Sequence, residues 1–308
     1  MLRLPCFYHP EYHLPLPAGH PFPMEKFSEA RDLLDRPDSV VEIFPVAAAP
    51  NRLLLRVHTS EYLIKLSQGT LDRREIHKLG LPWQPRLLHR SALETAGTIA
   101  ACQHALQHGL AANLAGGTHH AFPDQGLGYC VLNDVATAIR ELQSRNPTIR
   151  IFIADTDAHQ GNGNHAIFRQ DDNVFTYSIH GARNYPSAKE PGDLDVGLPR
   201  YVLGKEYLEA LRQSLPEALD RFQADLVIWI SGVDVHQDDR FGQMRLSTEE
   251  IQERDHLVAK WCFIRGLPLT VLYGGGYHRT TSMTGRLHAN TIEEVAAACP
   301  PALDVPAA

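Results

Sequence analysis

Asp155-Thr-Asp-Ala-His-Gln-Gly-Asn-Gly163 follows the largely apolar run 149–154, and the two segments together decide the fold class. An apolar run of this length is typical of a buried strand in a parallel sheet, where ligands bind beyond the carboxyl ends of the strands. Asp157 and His159 are separated by one residue, so on an extended backbone both side chains point to the same face, with Cα atoms about 6.5 Å apart. Because carboxylates and imidazoles both bind zinc, the segment predicts a metal site. The alternative is that these side chains cap a helix that starts near Asn162.

Length and composition describe an ordinary globular protein. The chain has 308 residues, of which 44% are hydrophobic and 21% charged, and its formal net charge is -7 at pH 7. A negative net charge argues against a nucleic-acid-binding protein, because the contact surface of such a protein is usually basic. No apolar run is long enough to span a membrane, and the N-terminus lacks the apolar region of a signal peptide. The five cysteines are scattered without a CxxC spacing, which favours a reduced, cytoplasmic protein.

Patterns typical of strands and helices alternate along the chain. Strand-like segments are 4–9, 40–46, 111–115, 149–154, 173–179, 225–231 and 268–273, and helical patterns are 23–34, 91–108, 132–144, 162–169, 205–222, 248–265 and 278–298. Residues 51–67 predict a strand followed by a helix with Ser60 as its N-cap, and 69–90 an excursion over the surface. The alternation predicts an α/β fold with a parallel sheet and helices on both faces. No linker or repeat interrupts it, so we expect one domain over 1–299 and a flexible tail over 300–308.

Four of the predicted strands are followed by loops that are rich in glycine and in side chains that can bind metals or transfer protons. In a parallel sheet the carboxyl ends of the strands lie at one edge, so the four loops are expected to converge. One such loop is explained by helix capping, but four together are hard to explain in that way. The loops are Gly116-Gly-Thr-His-His-Ala121, Asp155–Gly163, Ser231-Gly-Val-Asp234 and Gly274-Gly-Gly-Tyr277.

Three side chains in these loops form a candidate ligand set: Asp157, His159 and Asp234. Three protein ligands with a fourth position open for water are typical of catalytic rather than structural zinc. The alternative for Asp234 is an N-cap of the segment that follows it.

Two adjacent histidines, His119 and His120, are better suited to proton transfer than to joint metal binding. On an extended backbone neighbouring side chains diverge, so each ring is expected to have its own hydrogen-bond acceptor. A histidine with a pKa near neutrality can take a proton from water and return one to a leaving group. The alternative is a pair of solvated loop histidines.

Two tyrosines beside glycines complete the candidate site. The hydroxyl of Tyr277 could donate a hydrogen bond to a developing oxyanion, and Tyr129, in the segment 126–130, could line a narrow channel. The alternatives are a tyrosine packed at a helix start for Tyr277 and a core aromatic residue for Tyr129.

As an ordered set, these motifs resemble the histone deacetylase family, also called the acetoin-utilisation and acetylpolyamine amidohydrolase family. The resemblance covers about residues 50–280 and implies an arginase/deacetylase fold with an eight-stranded parallel sheet. The sequences of segments 157–163 and 239–242 (Asp-Arg-Phe-Gly) look most like those of the class IV branch of the family. The matching segments are Gly116–Ala121, Gly128–Cys130 with Asn133-Asp134, Asp155–Gly163, Tyr177–His180, Gly232–Asp234 and Gly274–Tyr277.

The resemblance also implies a role for each site residue. Zinc, or iron(II), would be held by Asp157, His159 and Asp234. His120 would be the general base, with Asn162 to orient it, where some branches have Asp. His119, held by Asp155, would be its electrostatic partner, and Tyr277 would polarise the scissile carbonyl. A structural potassium ion would lie near Asp155, Ser178 and Ile179 and the backbone of Asp157 and His159.

The function implied is a zinc-dependent amide hydrolase that removes acetyl or longer fatty acyl groups from lysine in peptides or proteins, or from acylated polyamines. Partners other than these substrates, such as nucleic acid or a membrane, are not expected, and the oligomeric state is open. The alternatives are a non-catalytic acyl-lysine binding module and a dinuclear manganese ureohydrolase, which the absence of a carboxylate at Gly232 and His236 disfavours. The loops 10–23 and 181–204 are expected to form the rim of the substrate channel. The predicted channel residues are Gly128, Tyr129, Tyr185, Phe241, Gly275 and Gly276.

Overall fold

Eight parallel strands form a single sheet in the computed structural model, which describes residues 3–299. The strand order is β2-β1-β3-β8-β7-β4-β5-β6. β4, β5, β7 and β8 are buried along their whole length, as expected of strands covered on both faces, and this confirms the predicted parallel α/β fold. The strands are β1 (Leu4–Tyr8), β2 (Val41–Pro45), β3 (Leu110–Asn113), β4 (Ile151–Asp155), β5 (Val174–Gly181), β6 (Leu194–Leu198), β7 (Leu226–Ile230) and β8 (Leu269–Leu272).

Ten α-helices connect and cover these strands in the described part of the chain. α5 packs on β1, β3 and β8, and its small buried residues Ala101, Cys102 and Ala105 allow a close approach to the sheet. On other strands α8 packs on β4, β5 and β6. The helices are α1 (Lys26–Leu34), α2 (Asn51–Leu54), α3 (Ser60–Gln68), α4 (Arg73–Leu79), α5 (Leu87–His108), α6 (Asp134–Arg145), α7 (Asn162–Phe168), α8 (Gly204–Phe222), α9 (Thr248–Ile264) and α10 (Thr281–Ala298).

The segment 69–90 lies largely at the surface, as expected, but it also contains α4 and the first turn of α5, which were not expected. The side chain of Asp72 accepts hydrogen bonds from the backbone of Arg74 and Glu75, at 2.7 and 2.8 Å, and Glu75 accepts one from the backbone of Asp72 in return. This reciprocal capping box starts α4, and Gly80 ends it with a φ of 75°.

Two further expectations need correction. The strand predicted at the start of 51–67 is the short helix α2, and the N-cap of α3 is Thr59, whose hydroxyl accepts from the backbone of Tyr62, rather than Ser60. The segment 181–204 also contains an unexpected edge strand, β6. The remaining element boundaries agree within a few residues.

Among residues 3–299, no helix combines the length and the apolar character that a membrane crossing requires. The flexible tail expected over 300–308 lies outside the described residues.

Candidate functional site

The loops that carry the candidate site leave four neighbouring strands: β3, β8, β7 and β4 are consecutive in the sheet. All four strands are parallel, so the loops emerge at one edge, as predicted.

Asp157, His159 and Asp234 lie together in the interior at this edge. Nδ1 of His159 is 2.8 Å from Oδ2 of Asp234 and 3.1 Å from Oδ1 of Asp157, and one ligand atom from each residue lies within 4.8 Å of the others. The two carboxylates are fully buried and the imidazole is 6% exposed. This is the ligand set expected from the sequence.

The backbone holds each carboxylate in place. The amide of Gly275 donates to Oδ2 of Asp157 at 2.7 Å, and the amide of Ala158 donates to Oδ1 of Asp234 at 2.8 Å. The helix-capping alternatives are therefore wrong: α7 begins after Gly161, which has no side-chain cap, and Asp234 bonds to the backbone of the β4 loop instead.

Glycine is required where the loops approach these carboxylates. A Cβ atom on Gly275 would collide with Oδ2 of Asp234, and a Cβ atom on Gly232 would collide with Oδ2 of Asp157. Both positions admit the carboxylates only because they lack a side chain.

The charged groups of the triad change one another's pKa values. Burial alone lowers the pKa of His159, but the carboxylates of Asp234 and Asp157 outweigh it and raise this pKa well above its usual range. Burial and the neighbouring Asp157 raise the pKa of Asp234 to about 7. Two buried carboxylates need a cation between them, either a proton on the imidazole or a metal ion. The donor set of two carboxylates and one imidazole suits zinc or iron(II).

His119 and His120 lie beside this triad and have different partners. Nδ1 of His119 is 2.7 Å from Oδ2 of Asp155, and Nδ1 of His120 is 2.8 Å from Oδ1 of Asn162. Each histidine is only 4% exposed, so the alternative of two solvated loop histidines is wrong. The expectation that the rings diverge is also wrong, because the loop backbone is not extended there and the ring centroids are 4.1 Å apart.

Tyr277 also lies beside the triad. Its ring centroid is 6.4 Å from that of His159, and its backbone amide donates to Oδ2 of Asp239 at 2.6 Å. Burial, together with the nearby Asp157 and Asp234, raises the pKa of Tyr277 well above its ordinary value, so its hydroxyl keeps its proton and can donate. α10 begins only at Thr281, and the packing is against the site rather than at a helix start.

Five of the predicted channel residues lie at the site, three around a cavity and two as aromatic rings next to the catalytic candidates. Gly128, Tyr129 and Gly275 line a small cavity of about 30 Å³ beside the histidines. The ring centroid of Tyr185 is 5.0 Å from that of His120, and the centroid of Phe241 is 5.2 Å from that of Tyr277, so both lie next to the site.

Gly276 does not belong with the other channel residues. The position of a Cβ atom there lies against Val233 and Thr284, in the interior behind the loop. Its neighbour Gly275 is turned toward the carboxylates of Asp157 and Asp234 instead.

Sequence reasoning missed the residues that line the far side of the cavity, chiefly Phe22, Lys26, Arg90 and Glu94. Lys26 is 1% exposed, and its Nζ donates to the carbonyl of Gly274 at 2.9 Å. Burial, partly offset by Asp157 and Asp234, lowers the pKa of Lys26 to about 8. No motif marks this lysine, because its partner is far away in the sequence.

The residues expected to hold a monovalent cation are adjacent in the sheet. Asp155 at the end of β4 is the register partner of Ser178 on β5, and Ile179 follows; all three are buried. Oδ1 of Asp155 accepts from the backbone of Asp157 at 3.1 Å, and the hydroxyl of Ser178 lies 2.9 Å from Nδ1 of His180.

Comparison with known proteins gives consistent matches over nearly the whole chain. Residues 20–293 match the family model of the histone deacetylase domain. An uncharacterised protein of Picosynechococcus sp. is 42% identical over 279 residues, which are 90% of this chain and 93% of that protein. Histone deacetylase 2 of Arabidopsis thaliana is 29% identical over 288 residues, 90% and 73% of the two chains. The acetoin utilization protein AcuC of Staphylococcus xylosus is 25% identical over 312 residues, 93% and 80% of the chains.

A solved structure of an HDAC homologue complexed with SAHA has the same fold. Its TM-score with this chain is 0.81 at 24% sequence identity, and the match covers 96% of this chain and 84% of that one. At this identity the likeness concerns the fold alone.

Proposed function

The chain belongs to the histone deacetylase family, and we propose that it is a metal-dependent amide hydrolase that removes acyl groups from lysine side chains or related acylated amines. The observation that supports this proposal is that three groups of side chains lie together at one edge of the sheet. They are the buried triad Asp157, His159 and Asp234, the proton-transfer candidate His120, and the hydroxyl donor Tyr277.

The triad has the donor chemistry and burial that a catalytic metal needs. A divalent ion held by Asp157, His159 and Asp234 would supply a Lewis acid that polarises the amide carbonyl and lowers the pKa of a water molecule. The charge balance supports a single ion here, because Gly232 and His236 add no carboxylate on either side of Asp234. This argues against the dinuclear ureohydrolase alternative.

His120 is suited to be the general base. With Nδ1–H donated to Oδ1 of Asn162, Nε2 carries the free lone pair. Burial, followed by the charges of His119 and His159, lowers the pKa of His120 well below its usual value, so the ring is neutral and ready to accept a proton. It removes a proton from water while the water oxygen attacks the carbonyl carbon.

Tyr277 and the histidines complete the reaction. The hydroxyl of Tyr277 donates to the oxygen that becomes negative when the tetrahedral intermediate forms. His119, charged beside Asp155, stabilises that negative charge electrostatically. A protonated histidine of the pair then gives its proton to the amine nitrogen as the C–N bond breaks, leaving a carboxylate and a free amine.

The finer assignments belong to the same proposal. A potassium ion near Asp155 and Ser178, a class IV relationship, a single domain over 1–299 and a cytoplasmic location follow from the sequence resemblance and composition. Tyr185 and Phe22, contributed by the loops 181–204 and 10–23, stand beside the site and support the proposed rim.

The test is hydrolysis of lysine peptides that carry acetyl through myristoyl groups by zinc-loaded protein. Tyr277→Phe is expected to lower kcat by about 10²- to 10³-fold, the usual effect of removing one oxyanion donor. Tyr201→Phe is the matched control, because Tyr201 is 47% exposed and lies outside the site. Full activity of Tyr277→Phe or of chelator-treated protein would contradict the proposal. Tight binding of these peptides without turnover would favour an acyl-lysine binding module.

A further inference from the structure

A second group of metal-ligating side chains lies outside the candidate active site: His236, Asp238 and His278. It forms where the loop after β7 runs beside the loop after β8. The backbones already pair there, because Asp239 and His278 form an antiparallel bridge and the amide of Arg279 lies 3.4 Å from the carbonyl of Asp238.

The three side chains are close enough to share one ion. One ligand atom from each lies within 4.8 Å of the other two. The His236 and His278 ring centroids are 5.1 Å apart, and Nε2 of His278 is 4.0 Å from Oδ2 of Asp238. That separation is too long for a hydrogen bond. Two zinc ligands at tetrahedral angles are about 3.4 Å apart, so the pair formed by His278 and Asp238 must close by about half an ångström and no pair by more than about 1.4 Å.

His278 is oriented for this role. Nδ1 accepts a hydrogen bond from the backbone amide of Thr280 at 2.9 Å and lies 3.1 Å from the carbonyl oxygen of the same residue. When the proton moves to Nδ1 and is donated to that carbonyl in place of the amide bond, the lone pair is on Nε2, which faces Asp238. A ring nitrogen tied to a backbone carbonyl, with the other nitrogen free, is the usual arrangement of a metal-binding histidine.

His236 can present a lone pair to the same point. Nε2 lies 3.3 Å from the hydroxyl of Thr248, and Nδ1 lies 3.2 Å from the backbone amide of Asp238. With the proton on Nε2 and donated to Thr248, the lone pair is on Nδ1, where it accepts the hydrogen bond from the amide of Asp238. An ion bound at Nδ1 replaces this hydrogen bond. The imidazole is 4% exposed and so is held in place, whereas the Asp238 side chain is 57% exposed and free to turn toward an ion.

We propose that His236, Asp238 and His278 form a second metal site that takes a borderline divalent transition ion such as zinc. Two imidazoles and one carboxylate suit zinc, cobalt or nickel, and argue against magnesium and calcium, which prefer oxygen ligands. The site opens into a surface cleft of about 760 Å³, which leaves room for water to complete the coordination. It does not rest on the proposed hydrolase function, since none of the three residues belongs to that machinery.

An ion here connects two loops that serve the active site. The β7 loop carries Asp234 and Asp239, and the β8 loop carries Tyr277, whose amide already donates to Asp239. A metal between Asp238 and His278 adds a second connection, from the residue before Asp239 to the residue after Tyr277, and thereby restrains the segment that positions Tyr277.

The test is the number of zinc ions bound by chelator-treated protein, measured by titration against a chromophoric zinc chelator. We expect two ions per chain for the wild type and one for Asp238→Asn/His278→Asn, with affinity at the second site lowered by at least about 10²-fold. His256→Asn is the matched control: this histidine on α9 has a side chain that is 44% exposed, and the variant should still bind two.

Cobalt(II) provides a second measurement that needs no variant of this site. In His159→Ala, which removes an active-site ligand, cobalt should still bind at His236 and His278 and give visible absorption bands, and these should disappear when Asp238→Asn/His278→Asn is added. A wild-type protein that binds only one zinc ion, and loses it in His159→Ala, overturns the proposal. Two ions retained by Asp238→Asn/His278→Asn overturn it equally. One ion that His159→Ala retains contradicts the proposed active-site metal instead.

Discussion

His119 and His120 are adjacent in sequence, equally buried and in ring-to-ring contact, yet their pKa values move in opposite directions. Burial lowers the pKa of both. For His119 the carboxylates of Asp155 and Asp157 outweigh burial and raise the pKa to about 9. For His120 the partner is the neutral amide of Asn162, which cannot offset burial and the charges of His119 and His159.

The difference shows that the partner, and not residue type or burial, decides which histidine is charged. Groups whose surroundings push their pKa values apart divide the acid and base roles between them. One histidine of this pair is therefore a buried cation, and the other is a neutral base.

The largest expected effect is the loss of activity when each histidine is replaced by alanine, because the loss should differ between the base and the charged residue. His120→Ala should lower kcat/KM by about 10³- to 10⁴-fold, because it removes the group that accepts the proton of water. His119→Ala should cost about 10²-fold, the lower end of the same range, because His120 remains. Peptide hydrolysis at saturating zinc measures both. A larger loss for His119→Ala than for His120→Ala would reverse the assignment.

The sequence predicted those parts of the molecule that depend on local pattern. The buried strand β4 and the loop after it were evident from an apolar run that ends in Asp155, and the convergence of four loops followed from parallel strands. α4 was missed although its signal, Asp72 and Glu75 at capping-box spacing before Gly80, is present in the sequence.

The other features that the sequence did not predict depend on tertiary contacts. β6 contains Asp195 and Gly197, which are poor strand formers, and it exists because it pairs with β5 at the edge of the sheet. Lys26 contacts the carbonyl of Gly274 across 248 residues of chain. The contact between the His119 and His120 rings likewise depends on where Asp155 and Asn162 hold them, which no local pattern contains.

A second prediction concerns stability. The raised pKa of His119 in chelator-treated protein means that its ion pair with Asp155 contributes fully below the ordinary histidine pKa of about 6.5. The contribution is lost as pH rises through about 9. The free energy of unfolding should therefore fall between these pH values by on the order of 3 kcal/mol from the interactions of His119 with Asp155 and Asp157.

Asp155→Asn should remove most of that decline, as measured by urea unfolding at pH 6.5 and pH 9. Asp172→Asn, at an exposed position, is the control and should keep the wild-type difference. An unchanged pH dependence in Asp155→Asn would mean that His119 is not charged by its partner.

The smallest expected effect comes from a substitution that gives His120 the same kind of partner as His119, and it therefore tests the comparison most closely. Asn162→Asp places a carboxylate beside His120, which favours the imidazolium and raises its pKa. The acidic limb of the pH profile of kcat/KM, expected below pH 6.5 in the wild type, should move up by about one pH unit. Asn162→Ala removes the orienting oxygen without adding charge, so it should lower the rate without an upward shift of the limb. If Asn162→Asp leaves the limb where it is, the amide does not control the base, and the neutral state of His120 must come from burial and its charged neighbours alone.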